Sequence, residues 1–136
     1  MEMEKVFPFE SPRKHYRNEF ADFFCPDQRF DDAFVAFRKQ FHNPDPIVLP
    51  GGVKALVDSG PEVQRYLLSA IVLLREAHGF STLRLWTHNE CTACGGSVNK
   101  EFYVEMLRKG KEIIARAIPD LKVELWFADF DGFYRI

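Results

Sequence analysis

Cysteine is scarce in this chain: three in 136 residues, an odd number at uneven spacing. That excludes a disulfide framework and suits reduced thiols of the cytosol. No run of Lys or Arg occurs, and with a net charge of −2 no basic face for nucleic acid is expected. No apolar stretch reaches membrane-spanning length, so no membrane partner is expected. The opening Met-Glu-Met-Glu-Lys has neither a basic leader nor an apolar signal segment, and a cytoplasmic location is expected. Internal repeats and low-complexity segments are absent as well. Phe is plentiful instead: fourteen of them, among 46% hydrophobic residues, give one domain an aromatic-heavy core of ordinary size.

Residues 1–18 are polar, contain two prolines and read as an arm; residues 19–136 read as a single α/β domain. Four strands are expected, at Phe20–Phe24, Ile47–Leu49, Leu83–Thr87 and Val123–Ala128. Between the first two, Phe30, Phe34, Phe37 and Phe41 recur at spacings of four, three and four, a helical stripe ended by Asn43-Pro44-Asp45-Pro46. A second helix fits Pro61 to His78, with Val63, Leu67, Ala70, Ile71 and Leu74 on one side and Gly79 as its cap. A third fits Val98 to Ile118, with Phe102, Met106, Ile113 and Ala117 on one face and Pro119 after it. Alternating strands and helices imply a three-layer α/β sandwich around a mostly parallel sheet of about four strands. In strand order 2-1-3-4 the winding reverses between strands one and three, where ligands bind beyond the strand ends.

Two short segments meet at that reversal. Cys25-Pro26-Asp27-Gln28-Arg29 follows the first strand, and His88-Asn89-Glu90-Cys91 follows the third, sixty-three residues on. Two thiols and an imidazole are donor types that Zn²⁺ prefers, and three protein ligands leave one corner of a tetrahedron for chemistry. Cys25, His88 and Cys91 are therefore the candidate metal ligands. Asp27 and Arg29 are the acid and base placed to govern a metal-bound water. The pair Gly51-Gly52 lies between the two segments.

Cys25-x-Asp27-x-Arg29 followed by His88-x-x-Cys91 resembles the metal signature of the β-class carbonic anhydrases. The resemblance runs from about Phe24 to Gly96, with strands and helices in matching order, and fits a short, diverged member. It implies one catalytic zinc held by Cys25, His88 and Cys91, and a homodimer or larger homo-oligomer. It implies an Asp27–Arg29 dyad in which Asp27 either takes the fourth metal position or turns away to pair with Arg29. The activity implied is reversible hydration of CO₂ to bicarbonate by zinc-bound hydroxide. Asp27 would accept the proton of that hydroxide in a hydrogen bond, and Arg29 would keep Asp27 ionised. Backbone N–H groups of Gly51 and Gly52 would approach a small oxyanion as part of the substrate site. The helix after Gly96 would favour the thiolate of Cys91.

Several readings stay open on the residues themselves. Cys94 makes a Cys-x-x-Cys with Cys91 and reads as a packed thiol, a fourth ligand closing a Cys₃His site, or half of a redox pair. His42 and His78 stand near helix ends and would matter as proton shuttles only if they line the pocket. Trp86 and Trp126 read as sheet-face residues, and Asp129, Asp131 and Tyr134 as a polar aromatic tail at a subunit contact. Beside CO₂ hydration stand hydrolysis of CS₂ or COS by the same centre, and a non-catalytic zinc-binding protein of the same fold.

Overall fold

The computed structural model describes residues 1–96 and 98–136. Five strands form one sheet: β1 (Phe20–Phe24), β2 (Asp45–Val48), β3 (Thr82–His88), β4 (Lys122–Asp129) and β5 (Gly132–Arg135), in the order β2-β1-β3-β4-β5. The first four are parallel, in the expected order. β5 pairs antiparallel with β4 across the two-residue loop Phe130-Asp131. The supposed tail from Asp129 to Tyr134 is thus a hairpin. At its turn the Asp129 carboxylate accepts from the Phe130 N–H at 2.9 Å.

Alternation along β1 places Ala21 and Phe23 on one face and Asp22 and Phe24 on the other. Ala21 and Phe23 join Leu83, Leu85 and Leu125 in the main core. Over them pack α2 (Lys54–Asp58), α3 (Pro61–His78) and α4 (Lys100–Ala117). The opposite face carries α1 (Asp31–Lys39), entered through a 3₁₀ turn at Gln28–Phe30. Beneath α1 lies a second cluster of Phe24, Phe30, Phe34, Trp86 and Ala128, with Phe37, Trp126 and Phe133 against it. Trp86 and Trp126 are register partners on β3 and β4 and stack at 5.2 Å. All seven residues of β3 are buried, as a central parallel strand covered on both faces requires.

Several expected boundaries and one face move. The helical stripe runs to Phe41 in sequence, but α1 ends at Lys39, and His42 and Asn43 take positive φ. Phe41 still packs on Phe20 and Phe37, at 5.1 and 5.0 Å. β2 begins at Asp45 rather than Ile47; Pro46 is tolerated because β2 is an edge strand. Helix α4 starts at Lys100, with the Asn99 side chain accepting from Phe102 N–H at 3.0 Å. Its buried face runs through Tyr103, Met106, Leu107, Gly110 and Ile114, one residue round from the expected stripe, so Phe102 and Ala117 face outward. Gly110 sets that rotation: a Cβ there would collide with the Val53 side chain, and glycine lets α4 approach α2 and the sheet. The cap at Gly79 stands as expected, its N–H bonding Arg75 O at 2.7 Å.

Within the α1 layer lies a buried ion pair. Asp22 accepts from Arg84 Nε at 2.6 Å, Arg84 Nη2 at 2.9 Å and Trp86 Nε1 at 3.0 Å. The Arg84 guanidinium is boxed by the rings of Phe20, Phe37 and Phe41 at 4.6, 4.9 and 4.3 Å. At the sheet's opposite end from Cys25, the arm is fastened at its last residues. Tyr16 donates to Asp45 at 2.7 Å and stacks on His78, whose Nδ1 meets the other Asp45 oxygen at 2.7 Å. Residues 1–17 are otherwise exposed and without regular structure.

Candidate metal centre

Cys25 follows directly on β1, His88 ends β3, and Cys91 lies three residues beyond. Because β1 and β3 are parallel neighbours, with Phe23 opposite Leu85, both segments leave the sheet at the same end, beyond the carboxyl ends of the strands. The Cys25 and Cys91 sulfurs and a His88 ring nitrogen all lie within 4.8 Å of one another, a grouping able to hold a metal ion. His88 and Cys91 are buried and Cys25 is half-buried.

The supporting contacts suit a cation. His88 Nδ1 lies 2.8 Å from Asn89 O; a carbonyl only accepts, so Nδ1 carries the proton in the neutral ring. Nε2 then keeps its lone pair, and it is buried without a hydrogen-bond partner. An orphaned imidazole nitrogen beside two thiols is the donor set of a zinc site with its outer-shell carbonyl in place. Gly51 N–H donates to Cys25 Sγ at 3.3 Å, which stabilises a thiolate there. Cys91 N–H donates to the Tyr103 hydroxyl at 3.1 Å, and that hydroxyl donates to Gly96 O at 3.3 Å. Tyr103, fully buried on α4, thus fixes both ends of the ligand loop. Nothing local in the sequence marks it: its role comes from the rotated face of α4.

Asp27 is turned toward Arg29. It accepts from Arg29 Nη2 at 2.7 Å, from Nε at 3.0 Å, and from the Arg29 backbone N–H at 3.0 Å. Its Oδ2 stands 3.6 Å from His88 Nε2. Hydrogen bonding from Arg29 holds the Asp27 carboxyl below the usual range, against a smaller opposing effect of burial. Of the two arrangements left open for Asp27, the structure has the paired one.

Proton distribution among the thiols follows their mutual contacts. Hydrogen bonding from Cys25, then from Cys94, pushes the Cys91 thiol down. Hydrogen bonding to Cys91, then burial, pushes the Cys25 and Cys94 thiols up. The thiolate preference of Cys91 therefore arises from its neighbouring sulfurs, whereas α4 begins only at Lys100. Burial opposes a charge on His88, but the neighbouring Cys91 sulfur, the Asn89 carbonyl on Nδ1 and the charge of Asp27 outweigh it, and its pKa is raised.

The remaining candidates fall in other places. Gly51 N–H serves Cys25, and Gly52 N–H donates to Leu49 O at 2.8 Å, so neither faces an open anion cradle. Gly52, at φ 57, is needed for a different close approach: a Cβ would run into Trp86 O of β3. His78 is tied to Asp45 and His42 borders Pro44 and Pro46, both at the far end of the sheet, so neither lines the centre. Cys94 interacts with Cys91 but stands outside the three-residue ligand group. All three cysteines are free thiols. Phe30 tilts over His88 at 5.0 Å and stacks on Phe130 at 5.2 Å. Beyond it a groove of about 550 Å³, lined by Arg29, Phe37, Trp126 and Phe133 among others, includes none of the ligand residues. No helix among the described residues is long and apolar enough to cross a membrane.

No protein-family model and no curated protein matches the sequence. Solved structures do match. The carbonic anhydrase of Streptococcus mutans aligns over 94% of this chain and 87% of its own, with TM-score 0.64 and 16% identity. The β-carbonic anhydrase isoform I of Trichomonas vaginalis aligns over 95% and 87%, with TM-score 0.52 and 13% identity. A β-carbonic anhydrase of the fungus Sordaria macrospora, one of two described as tetrameric, aligns over 89% and 81%, with TM-score 0.50 and 11% identity. At such identities the likeness is one of fold: the chain has the β-carbonic anhydrase fold.

Proposed function

We propose that this chain is a zinc enzyme that hydrates CO₂ reversibly to bicarbonate. One observation carries the reading: two thiols and an orphaned imidazole nitrogen converge within 4.8 Å while the nearby carboxylate of Asp27 is held aside by Arg29. Cys25 Sγ, His88 Nε2 and Cys91 Sγ would hold the ion. Zinc so held supplies a Lewis acid that brings the ionisation of water toward neutral pH.

The chain's own groups do the rest. Asp27, kept ionised by the Arg29 fork, offers Oδ2 as a hydrogen-bond acceptor 3.6 Å from His88 Nε2. A reacting water bonded there is oriented with a lone pair toward the CO₂ carbon. Arg29 fixes the direction of that acceptor by two ring-forming hydrogen bonds and a backbone one. Phe30 covers one side of His88 and limits access of bulk water to the ring. Gly51 lends its N–H to the Cys25 sulfur. A homodimer or larger homo-oligomer in a reducing, cytoplasmic setting accompanies the reading, supported by the tetrameric fungal structures and the free thiols.

Stopped-flow CO₂ hydration with zinc stoichiometry tests the proposal. The parent should carry stoichiometric zinc and turn over CO₂. Asp27→Asn should keep its zinc and lose most activity; hydration at the parental rate would refute the role given to Asp27. Cys25→Ser should lose the metal. Turnover of CS₂ or COS without CO₂ hydration would move the substrate to those heterocumulenes, and zinc without any turnover would make the chain a binding protein.

A further inference from the structure

We propose that Cys91 and Cys94 form a reversible disulfide that withdraws a ligand from the metal centre, so that an oxidant releases the ion. The inference rests on the zinc reading above and adds a modification site to it. Cys91 caps the 3₁₀ turn Thr92–Cys94, and Cys94 N–H donates to Cys91 O at 3.0 Å. A turn of this kind brings its end Cα atoms within about 7 Å, a span that overlaps the one a disulfide bridges. Both residues belong to one packed cluster with Tyr103 and Phe127. Cys94 has no part in the ligand group, so its thiol is available.

Local backbone freedom favours this pair over the alternative, Cys25 with Cys91. Cys25 is fixed by β1 on one side and by the Gly51 N–H on its sulfur. Cys94 is followed by Gly95 and Gly96, both at positive φ, and a Cβ on Gly96 would meet nothing within 4 Å. The glycine pair gives the backbone after Cys94 a latitude that the strand before Cys25 lacks. A centre that admits CO₂ also admits hydrogen peroxide, a molecule of similar size.

The step balances with peroxide as the oxidant. The Cys91 thiolate attacks one peroxide oxygen, the O–O bond breaks, and hydroxide leaves, giving a sulfenic acid. That hydroxide takes the Cys94 proton and becomes water. The Cys94 sulfur attacks the Cys91 sulfur, the S–S bond forms, and a second hydroxide departs. The sulfur pair has lost two electrons and peroxide has gained them. Cys91 can no longer donate a thiolate, and the ion is left with Cys25 and His88.

The test uses the intact, zinc-loaded chain and hydrogen peroxide. Expected are loss of stoichiometric zinc to a chromogenic chelator, a mass lower by two hydrogens, and a linked Cys91–Cys94 peptide, all reversed by dithiothreitol with added zinc. In Cys94→Ala the zinc content before oxidation should match the parent. Peroxide should then add oxygen to Cys91 without the two-hydrogen loss, and recovery by dithiothreitol should fail. Peptide mapping of the unmutated chain decides the matter even if that variant folds poorly. Cys94 still open to iodoacetamide after zinc release, or zinc retained at peroxide concentrations that oxidise Cys25, would overturn the proposal. Metal analysis before oxidation keeps the two readings apart: a chain without zinc overturns the metal assignment, while mass and alkylation still report the pairing.

Discussion

Arg29 joins the two ligand segments through Glu90, sixty-one residues away, bonding its carbonyl at 2.9 Å and its carboxylate at 3.4 Å. Glu90 has φ 53, a left-handed conformation that costs a non-glycine residue roughly 1–2 kcal/mol. Its N–H bonds the Asn89 side chain, and its carbonyl is taken by the guanidinium, so the strained residue is held from both sides. The residue expected to control Asp27 also shapes the loop that delivers His88 and Cys91.

Replacing Arg29 by Ala should therefore cost on two counts. CO₂ hydration should fall about 10²-fold or more, the usual scale for losing a positioned acid–base partner. The Asp27 carboxyl, depressed by Arg29, should return toward its ordinary value of about 3.9, moving the acid limb of the rate profile to higher pH. Arg29→Lys should rescue only partly, because an ammonium lacks the two-pronged fork. An unchanged acid limb in Arg29→Ala would separate Asp27 from the profile.

Tyr103→Phe removes the acceptor for Cys91 N–H and the donor to Gly96 O inside a buried cluster. Stability should drop by about 1–3 kcal/mol for the unmet groups. Zinc affinity should fall about 10- to 100-fold, as for other outer-shell partners. Chelator competition and urea unfolding read the two effects separately.

Arg84→Met leaves Asp22 buried with one of its three hydrogen bonds, that from Trp86 Nε1. Loss of one member of such a pair costs about 3–5 kcal/mol, and urea unfolding should show it. Arg84 is far enough from the ligands that the folded fraction should still take up stoichiometric zinc. A loss below 1 kcal/mol would mean that Arg38, 3.5 Å from Asp22, takes over the pairing.

The metal-free chain should lose stability as pH rises through neutrality. His88 has a raised pKa in the folded state, so its contribution is complete below the unfolded value of about 6.5 and disappears as pH rises through the folded value. Zinc uptake has the opposite slope, because the ion requires the neutral ring. Denaturant midpoints of parent and His88→Asn, with and without zinc, should cross accordingly.

Gly52→Ala should destabilise by about 2 kcal/mol or more, since positive φ and a backbone collision act together. Thermal unfolding measures it. The loop around Cys25 would shift with it, so zinc affinity should fall in the same variant.

The strand order and the meeting of Cys25, His88 and Cys91 were legible from local pattern: apolar runs of strand length, of which the first and third are each followed at once by a candidate donor. What escaped depends on tertiary contact. Asp22 and Arg84 alternate like outward polar residues, and only the α1 layer with its Phe stripe buries them. Phe102 and Tyr103 are both plausible core residues of α4; the collision that an added side chain at Gly110 would make decides between them. Gly51 and Gly52 look like an anion cradle in sequence, yet one serves a thiol and the other a neighbouring strand. β5 was missed because four residues with two exposed ends carry little pattern of their own.

The parallel pairing of β1 with β3 also bears on when an ion could be captured at the proposed site. A nascent chain that has made only its first two strands presents a single sulfur to any passing metal. High-affinity loading of the proposed site would have to wait until the segment through Cys91 has left the ribosome and closed a long crossover, so metallation would follow the pairing of β1 with β3 rather than guide the start of folding.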